Sequence, residues 1–377
     1  MNFDKEYNII RPYNNLEAPS VMKRILSDDN FKYMISYLYE NRNVEKVLKE
    51  LSSIQTVTDF QLKFSHYAVR EVIRKTSDGL MHSGLDKLDN SKGYLFIANH
   101  RDIVLDSAIM QILLVENNHK TSQITFGSNL MTSEFIVDLG KMNKMFTFYR
   151  GGTRLQMYKN ALLYSKYIQK VITEENESIW IAQRDGRTKD GNDKTQISLI
   201  KMLMMGKENP YEALKELNIV PVSISYEYEP CDIKKIQEQY ISKTGVYKKQ
   251  KGDDLDSVLK GITNYKGRIN MVFGELLNPI IENAEINNVD INELADIVTK
   301  AIDKQIYKNY NVNPINFVAY DLVKNTNTYL NKEYNSIEKD KFIDYVNKNT
   351  SELIGNKEEL KQMFYSMYAM PLKNLIL

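Results

Sequence analysis

Residues 94–106 read Tyr94-Leu95-Phe96-Ile97-Ala98-Asn99-His100-Arg101-Asp102-Ile103-Val104-Leu105-Asp106. The apolar run 94–98 is too short for a helix of ordinary length and predicts a buried strand. A polar tetrapeptide ends it, and residues 106–115 return to helical spacing. Strand, polar loop and helix form the repeating unit of an α/β fold. The same alternation continues outward. Strands are predicted at 123–126, 145–149, 178–182, 219–226 and 268–273, with helices at 133–141, 155–172 and 197–205. The expected fold class is therefore α/β, with a largely parallel sheet and flanking helices.

On either side of this block the period changes. Apolar residues recur at helical spacing over 31–51 and again over 60–74, predicting amphipathic helices and a helical N-terminal domain over residues 1–90. Residues 91–278 form the expected α/β domain. A helical C-terminal segment follows over 279–377, with patterns at 295–310 and 340–367. There is no internal repeat and no low-complexity linker.

Composition narrows the function classes. With 50 basic and 49 acidic side chains among 377 residues, the net charge is +1, so no global basic field attracts nucleic acid. Cys231 is the single cysteine, which excludes an intrachain disulfide and a cysteine-based metal cluster. Charges within residues 1–6 argue against a signal peptide, and no run reaches the length of a membrane-spanning helix. The expectation is a cytoplasmic protein, with peripheral contact on the inner face of a membrane a further expectation.

In a parallel sheet, ligands bind beyond the carboxyl ends of the strands. The unusual polar residues follow the strands in that way. Asn99-His100-Arg101-Asp102 follows the first, Gly127-Ser128-Asn129 the second, Arg150-Gly151-Gly152-Thr153-Arg154 the third, and residues 183–191 (QRDGRTKDG) the fourth. A histidine held by a carboxylate is a general base for a hydroxyl. Guanidinium forks recognise phosphate, and glycines let backbone N–H groups approach an anion. Together they predict deprotonation of an alcohol on a phosphate-bearing substrate. His66, His82 and His119 are placed in helices or at helix ends, as structural residues. Residues 226–228 (YEY) are read as strand and surface residues.

Residues 99–106 (NHRDIVLD), 148–152 (FYRGG), 185–188 (DGRT) and 220–222 (VPV) occur in that order. The series resembles the four motif blocks of the glycerol-3-phosphate and 1-acylglycerol-3-phosphate acyltransferases, over roughly residues 90–275. The resemblance implies a glycerolipid acyltransferase of phospholipid biosynthesis. His100 would be the catalytic base and Asp106 its partner. Arg150, Gly151 and the loop Asp185, Gly186, Arg187 would hold phosphate, with Arg184 and Lys194 as further contacts. Pro221 would lie in the fourth block. The implied acceptor is glycerol-3-phosphate or its 1-acyl form. The implied donor is acyl-coenzyme A or acyl carrier protein, used as a co-substrate, with no bound cofactor and no metal. The family separates His and Asp by four residues. Here five intervene, so either the loop bulges around Asp106 or Asp102 takes the role. The third block also departs, with Asp for Glu and the Arg one place early.

Residues 100–102 (HRD) also spell a kinase catalytic-loop tripeptide, but the Asn that loop requires falls on Ser107. A calcium loop is ruled out by Arg187 and Lys189, which stand where oxygen ligands are needed. A non-catalytic lipid- or phosphate-binding protein on the same scaffold is the competing expectation.

Overall fold

The computed structural model describes residues 5–247 and 252–376. Residues 1–4, whose charge enters the signal-peptide argument, lie outside the described residues. Seven strands form one sheet: β1 (Gly79–Ser83), β2 (Leu95–Ala98), β3 (Gln123–Gly127), β4 (Met145–Phe148), β5 (Ile179–Ala182), β6 (Ile219–Tyr226) and β7 (Arg268–Phe273). Their order is β1-β7-β6-β2-β5-β3-β4. The five strands β2 to β6 run parallel. β7 is antiparallel to β6, and β1 is parallel to β7. The fold is thus α/β with a mostly parallel sheet flanked by helices, and each of the six strands read from the sequence is present.

Strand composition explains the order. All eight residues of β6 and all four of β2 are buried, as central strands covered on both faces require. β1 is an edge strand whose residues are nearly all exposed. It falls within the region expected to be helical, and His82 belongs to it rather than to a helix. The helical spacing over 31–51 divides into two helices, Asp29–Leu38 and Val44–Leu51, the second opened by the side chain of Asn43 accepting from Lys46 N–H.

Two cores sandwich the sheet. One face carries Phe96 and Ala98 of β2 against helices Leu105–Glu116 and Glu134–Met142, together with Phe31, Phe60 and Phe64 of the N-terminal helices. The N-terminal region therefore shares a core with the sheet as well as supplying β1. The other face carries Leu95 and Ile97 against helices Arg154–Thr173, Ile197–Leu203 and Ile291–Asn309. A third cluster joins the C-terminal helices Pro314–Lys324, Ser336–Ser351 and Lys357–Ile376 to Ile236 of helix Asp232–Thr244.

Two consequences position the site. The helix after β2 packs on one face, whereas the helix after the neighbouring β5 packs on the other. Such adjacent strands leave a crevice at their carboxyl ends. Because β7 runs back along β6, the connection between them starts and finishes at that same edge. Its helices, Asp232–Thr244 and Asp253–Thr263, therefore cap the crevice.

Beneath this cap lies Lys266, almost fully buried, with Nζ donating to Thr76 Oγ1 at 2.9 Å and to Asn264 O at 2.5 Å. Burial lowers its ammonium to about 8, against about 10.4 in an unfolded chain. Between these values the unfolded chain binds more protons, so this group makes stability rise with pH from about 8 upward. Cys231 and several tyrosines, raised by burial, act in the opposite direction but are common to wild type and a Lys266→Met variant. Urea unfolding at pH 8.0 and 9.5, roughly within that window, should therefore show wild type gaining stability relative to Lys266→Met.

Candidate active site at the sheet edge

His100 leaves β2 at its carboxyl end, and Asp106 lies in the first turn of helix Leu105–Glu116. Their separation in space is 2.9 Å, from His100 Nδ1 to Asp106 Oδ2. That oxygen also accepts the backbone N–H groups of Arg101 at 2.6 Å and Asp102 at 2.8 Å. The other carboxylate oxygen accepts the hydroxyl of Tyr226 at 2.8 Å. Burial and the neighbouring Asp106 charge hold the Tyr226 phenol well above its ordinary range, so it stays a donor. Asp106 is thus fixed by four donors from two chain segments and is 1% exposed.

A carboxylate facing Nδ1 selects the tautomer with the proton on Nδ1, which leaves Nε2 as the basic nitrogen. Nε2 makes no hydrogen bond among the described residues. The His100 side chain keeps 14% exposure, enough to meet a ligand from the crevice. Trp180 of β5 stands edge-on to the imidazole at 5.6 Å between ring centroids and limits its rotation.

Asp102, the alternative partner, has a different set of contacts. Its Oδ1 accepts Val104 N–H at 2.9 Å and Leu105 N–H at 2.8 Å, a side-chain turn that leads into the helix. This turn accommodates the fifth residue between His100 and Asp106. Its Oδ2 is buried without a hydrogen-bond partner, and burial followed by the Asp106 charge raises its carboxyl above the usual range. Gly261 of the cap is required at this point, since a Cβ there would stand 2.2 Å from Asp102 Oδ2.

The other sequence candidates divide. Arg150 reaches from the loop after β4 to Asp185 on the loop after β5, Nη1 to Oδ1 at 2.7 Å, and both side chains are largely solvent-exposed. Gly151 and Gly186 adopt φ of +78° and +72° with open space where a Cβ would sit. The backbone of this rim is therefore accessible to a ligand. Arg184 is half-buried, with Nε buried and unpartnered. Arg187 turns beneath the cap, where its charge acts on Asp102 and on the Cys231 thiol, and its Nη1 is buried without a partner. Lys194 is exposed at the far end of the loop, near Asp303, and forms no ion pair with the other candidates among the described residues. The phosphate set read from sequence is thus brought together only in part. Arg150, Gly151, Asp185 and Gly186 share the rim, Arg184 and Arg187 lie deeper, and Lys194 lies apart.

Beneath the site is a buried ionic network absent from the sequence reading. Arg101, 1% exposed, donates to Asp193 Oδ2 at 2.5 Å, to Glu229 Oε2 at 2.9 Å and to Gly191 O at 3.1 Å. Lys235, equally buried, donates to Glu229 Oε1 at 2.5 Å and to Arg101 O at 2.7 Å. Asn99 donates to Asp193 and pairs with the backbone of Ile224, and Thr188 donates to the remaining Asp193 oxygen. Two cations meet two anions, and Tyr310 stacks beneath the Arg101 guanidinium at 5.0 Å. The network ties the His100 loop, the 183–193 loop and the cap into one body. Tyr226 is a strand residue, as expected, but it is fully buried against Asp106 rather than at the surface.

No protein-family model matches the chain, and no curated protein matches it. Among solved structures, the chain is similar to the 1-acyl-sn-glycerophosphate (LPA) acyltransferase PlsC from Thermotoga maritima. The match has 14% identity and a TM-score of 0.37, and covers 77% of this chain and 97% of that one. It is a distant match, from which no role for any residue follows. No helix among the described residues is long and apolar enough to cross a membrane.

Proposed function

We propose that the protein transfers an acyl group from a thioester, carried by coenzyme A or acyl carrier protein, to a hydroxyl of a phosphate-bearing glycerol acceptor. Glycerol-3-phosphate and its 1-acyl form are the acceptors of this class. The observation that carries the reading is the His100–Asp106 pair, whose Nε2 has no hydrogen bond among the described residues on a partly exposed side chain, on a loop joined to the Arg- and Gly-bearing 183–191 loop. The ordered motif series in the sequence supports the same chemistry.

The acceptor hydroxyl gives its proton to His100 Nε2 as its oxygen bonds to the thioester carbonyl carbon. Asp106 stabilises the imidazolium that results. The tetrahedral intermediate collapses with cleavage of the C–S bond, and the leaving thiolate takes the proton back from Nε2. The ester and the free thiol are the products, and no acyl-enzyme forms.

The acceptor phosphate would bind at the rim, where Asp185 already holds Arg150. Phosphate has to displace that carboxylate. Asp185→Asn is therefore expected to lower KM for the acceptor several-fold at low salt with little change in kcat, a shift that 0.5 M salt reduces. A rise in KM would make Asp185 part of the binding set instead of its competitor.

The reading is tested by incubating pure protein with acyl-coenzyme A or acyl carrier protein and each acceptor, then searching for the ester by mass spectrometry. An ester from at least one pairing is expected. No ester from any pairing, combined with saturable binding of the acceptor, would replace the enzyme with a binding protein.

A further inference from the structure

Helix Arg154–Thr173 emerges from the rim of the site before it meets the body of the protein. Residues 149–159 are exposed without interruption, and burial begins only at Tyr164. The free end is nevertheless an ordered helix. Thr153 accepts Gln156 N–H, and the Gln156 side chain accepts Thr153 N–H, forming a capping box. Such a cap stabilises a helix end that tertiary packing does not support.

The residues on this end are unlike those of an ordinary solvated face. Leu155 is 62% exposed, Tyr158 60% and Met157 48%. Leu155, Tyr158 and the half-buried Leu162 follow i, i+3, i+7 spacing and form one stripe. Lys159 and Lys166 flank the stripe, and Arg154 stands at its tip. None of these three cations has an ion-pair partner among the described residues. From residue 149 to residue 173 the sequence contains no aspartate or glutamate, although acidic and basic residues are nearly equal in the whole chain. The acid-free, apolar-and-basic segment begins at Arg150, so it borders the mouth of the site.

We infer that this projecting helix end is the surface by which the protein docks on an anionic lipid surface, with Leu155, Tyr158 and Leu162 entering the interface and Arg154, Lys159 and Lys166 facing the headgroups. An apolar stripe flanked by cations is the chemistry of interfacial helices. A projecting tip suits entry into a fluid interface, where a protein partner would need a matching groove. Resting on the acyl-transfer reading, the inference also gives the site a route to amphiphilic substrates, since the docked helix would hold the rim against the lipid. The N-terminal helices, the other candidates for lipid contact, have their apolar stripes in the core. Val21, Ile25, Phe31, Ile35, Val47 and Leu51 are all buried.

Because residues 1–90 contribute β1 and much of one core, truncating them would not isolate a membrane contact, and point variants of the full chain are required. Flotation with vesicles of phosphatidylcholine alone, and of phosphatidylcholine with 30% phosphatidylglycerol as a roughly physiological anionic load, supplies the readout. Wild type should float with the anionic vesicles and much less with the neutral ones. Leu155→Ser/Tyr158→Ser should bind at least about tenfold more weakly. Lys159→Glu/Lys166→Glu should lose the preference for anionic lipid. Circular dichroism should be unchanged in both variants, because the positions are exposed. Equal binding by wild type and the Ser variant, or no vesicle binding by wild type, overturns the inference. Failure of wild type to bind vesicles, together with loss of transfer from acyl carrier protein alone in the Glu variant, would assign the patch to an acidic carrier protein instead. Flotation is independent of turnover, so it stands or falls separately from the proposed reaction.

Discussion

His100→Ala is expected to lower kcat for acyl transfer by about a thousandfold, with KM for the acceptor changed little. The reason is local. In the proposed reaction the imidazole supplies the basic nitrogen, whereas the proposed phosphate contacts come from the other loops. The side chain is partly exposed, and its removal leaves the buried Asp106 carboxylate hydrogen-bonded, because Asp106 keeps Arg101 N–H, Asp102 N–H and the Tyr226 hydroxyl as donors. Folding should therefore survive, and circular dichroism with a thermal melt would verify it. Asp106→Asn should lower kcat as well, since a neutral amide stabilises the imidazolium less. Tyr226→Phe removes one hydrogen bond to that carboxylate and should have a smaller effect. Equal activity of wild type and His100→Ala would remove His100 from the reaction.

The second large effect is on stability. Glu229→Ala is expected to cost about 3–5 kcal/mol, because it removes the shared partner of two buried cations. Arg101 would keep Asp193, but Lys235 would retain only the carbonyl of Arg101 as a hydrogen-bond partner. A cation that buried without a counter-charge is strongly unfavourable. Equilibrium urea unfolding measures the loss. Activity should fall further than the unfolded fraction alone explains, since Arg101, which Glu229 holds, also ties Asp193 and Gly191 of the 183–193 loop to the His100 loop. Glu229→Gln keeps one acceptor and should be milder. A Glu229→Ala midpoint indistinguishable from wild type would mean that the network contributes nothing to folding.

The elements that were legible in the sequence share a physical feature. β2 and β5 are uninterrupted apolar runs, and β6 departs only at the buried Ser223 and Ser225 and at the polar tip of Tyr226, because both faces of a central strand are covered. β1 escaped because an exposed edge strand of Gly, Leu, Met, His and Ser carries neither an apolar run nor an alternation. The reversal of β7 has no signature within its own six residues, since direction is set by which edge the connection leaves and enters. Yet that reversal places the cap over the site.

The site follows the same division. His100 and its two candidate partners, Asp102 and Asp106, are local in sequence and lie within one strand–loop–helix pattern. The choice between Asp106 and Asp102 depends on backbone geometry, because both carboxylates face the loop and only one accepts the imidazole. Arg101 meets Asp193 and Glu229 at separations of 92 and 128 positions, beyond the reach of spacing arguments. A weak signal was available in Tyr226, since an aromatic with a polar tip at the carboxyl end of a wholly buried strand needs a partner when buried.

The proposed reaction rests on His100, held by Asp106, activating an acceptor hydroxyl toward an acyl thioester. Its most direct test is acceptor-dependent thiol release, measured for wild type and His100→Ala with glycerol-3-phosphate and its 1-acyl form against acyl-coenzyme A and acyl carrier protein. The predicted result is release that requires one of the acceptors in wild type and falls to background in His100→Ala. Release that is independent of acceptor, or that persists in His100→Ala, would contradict it.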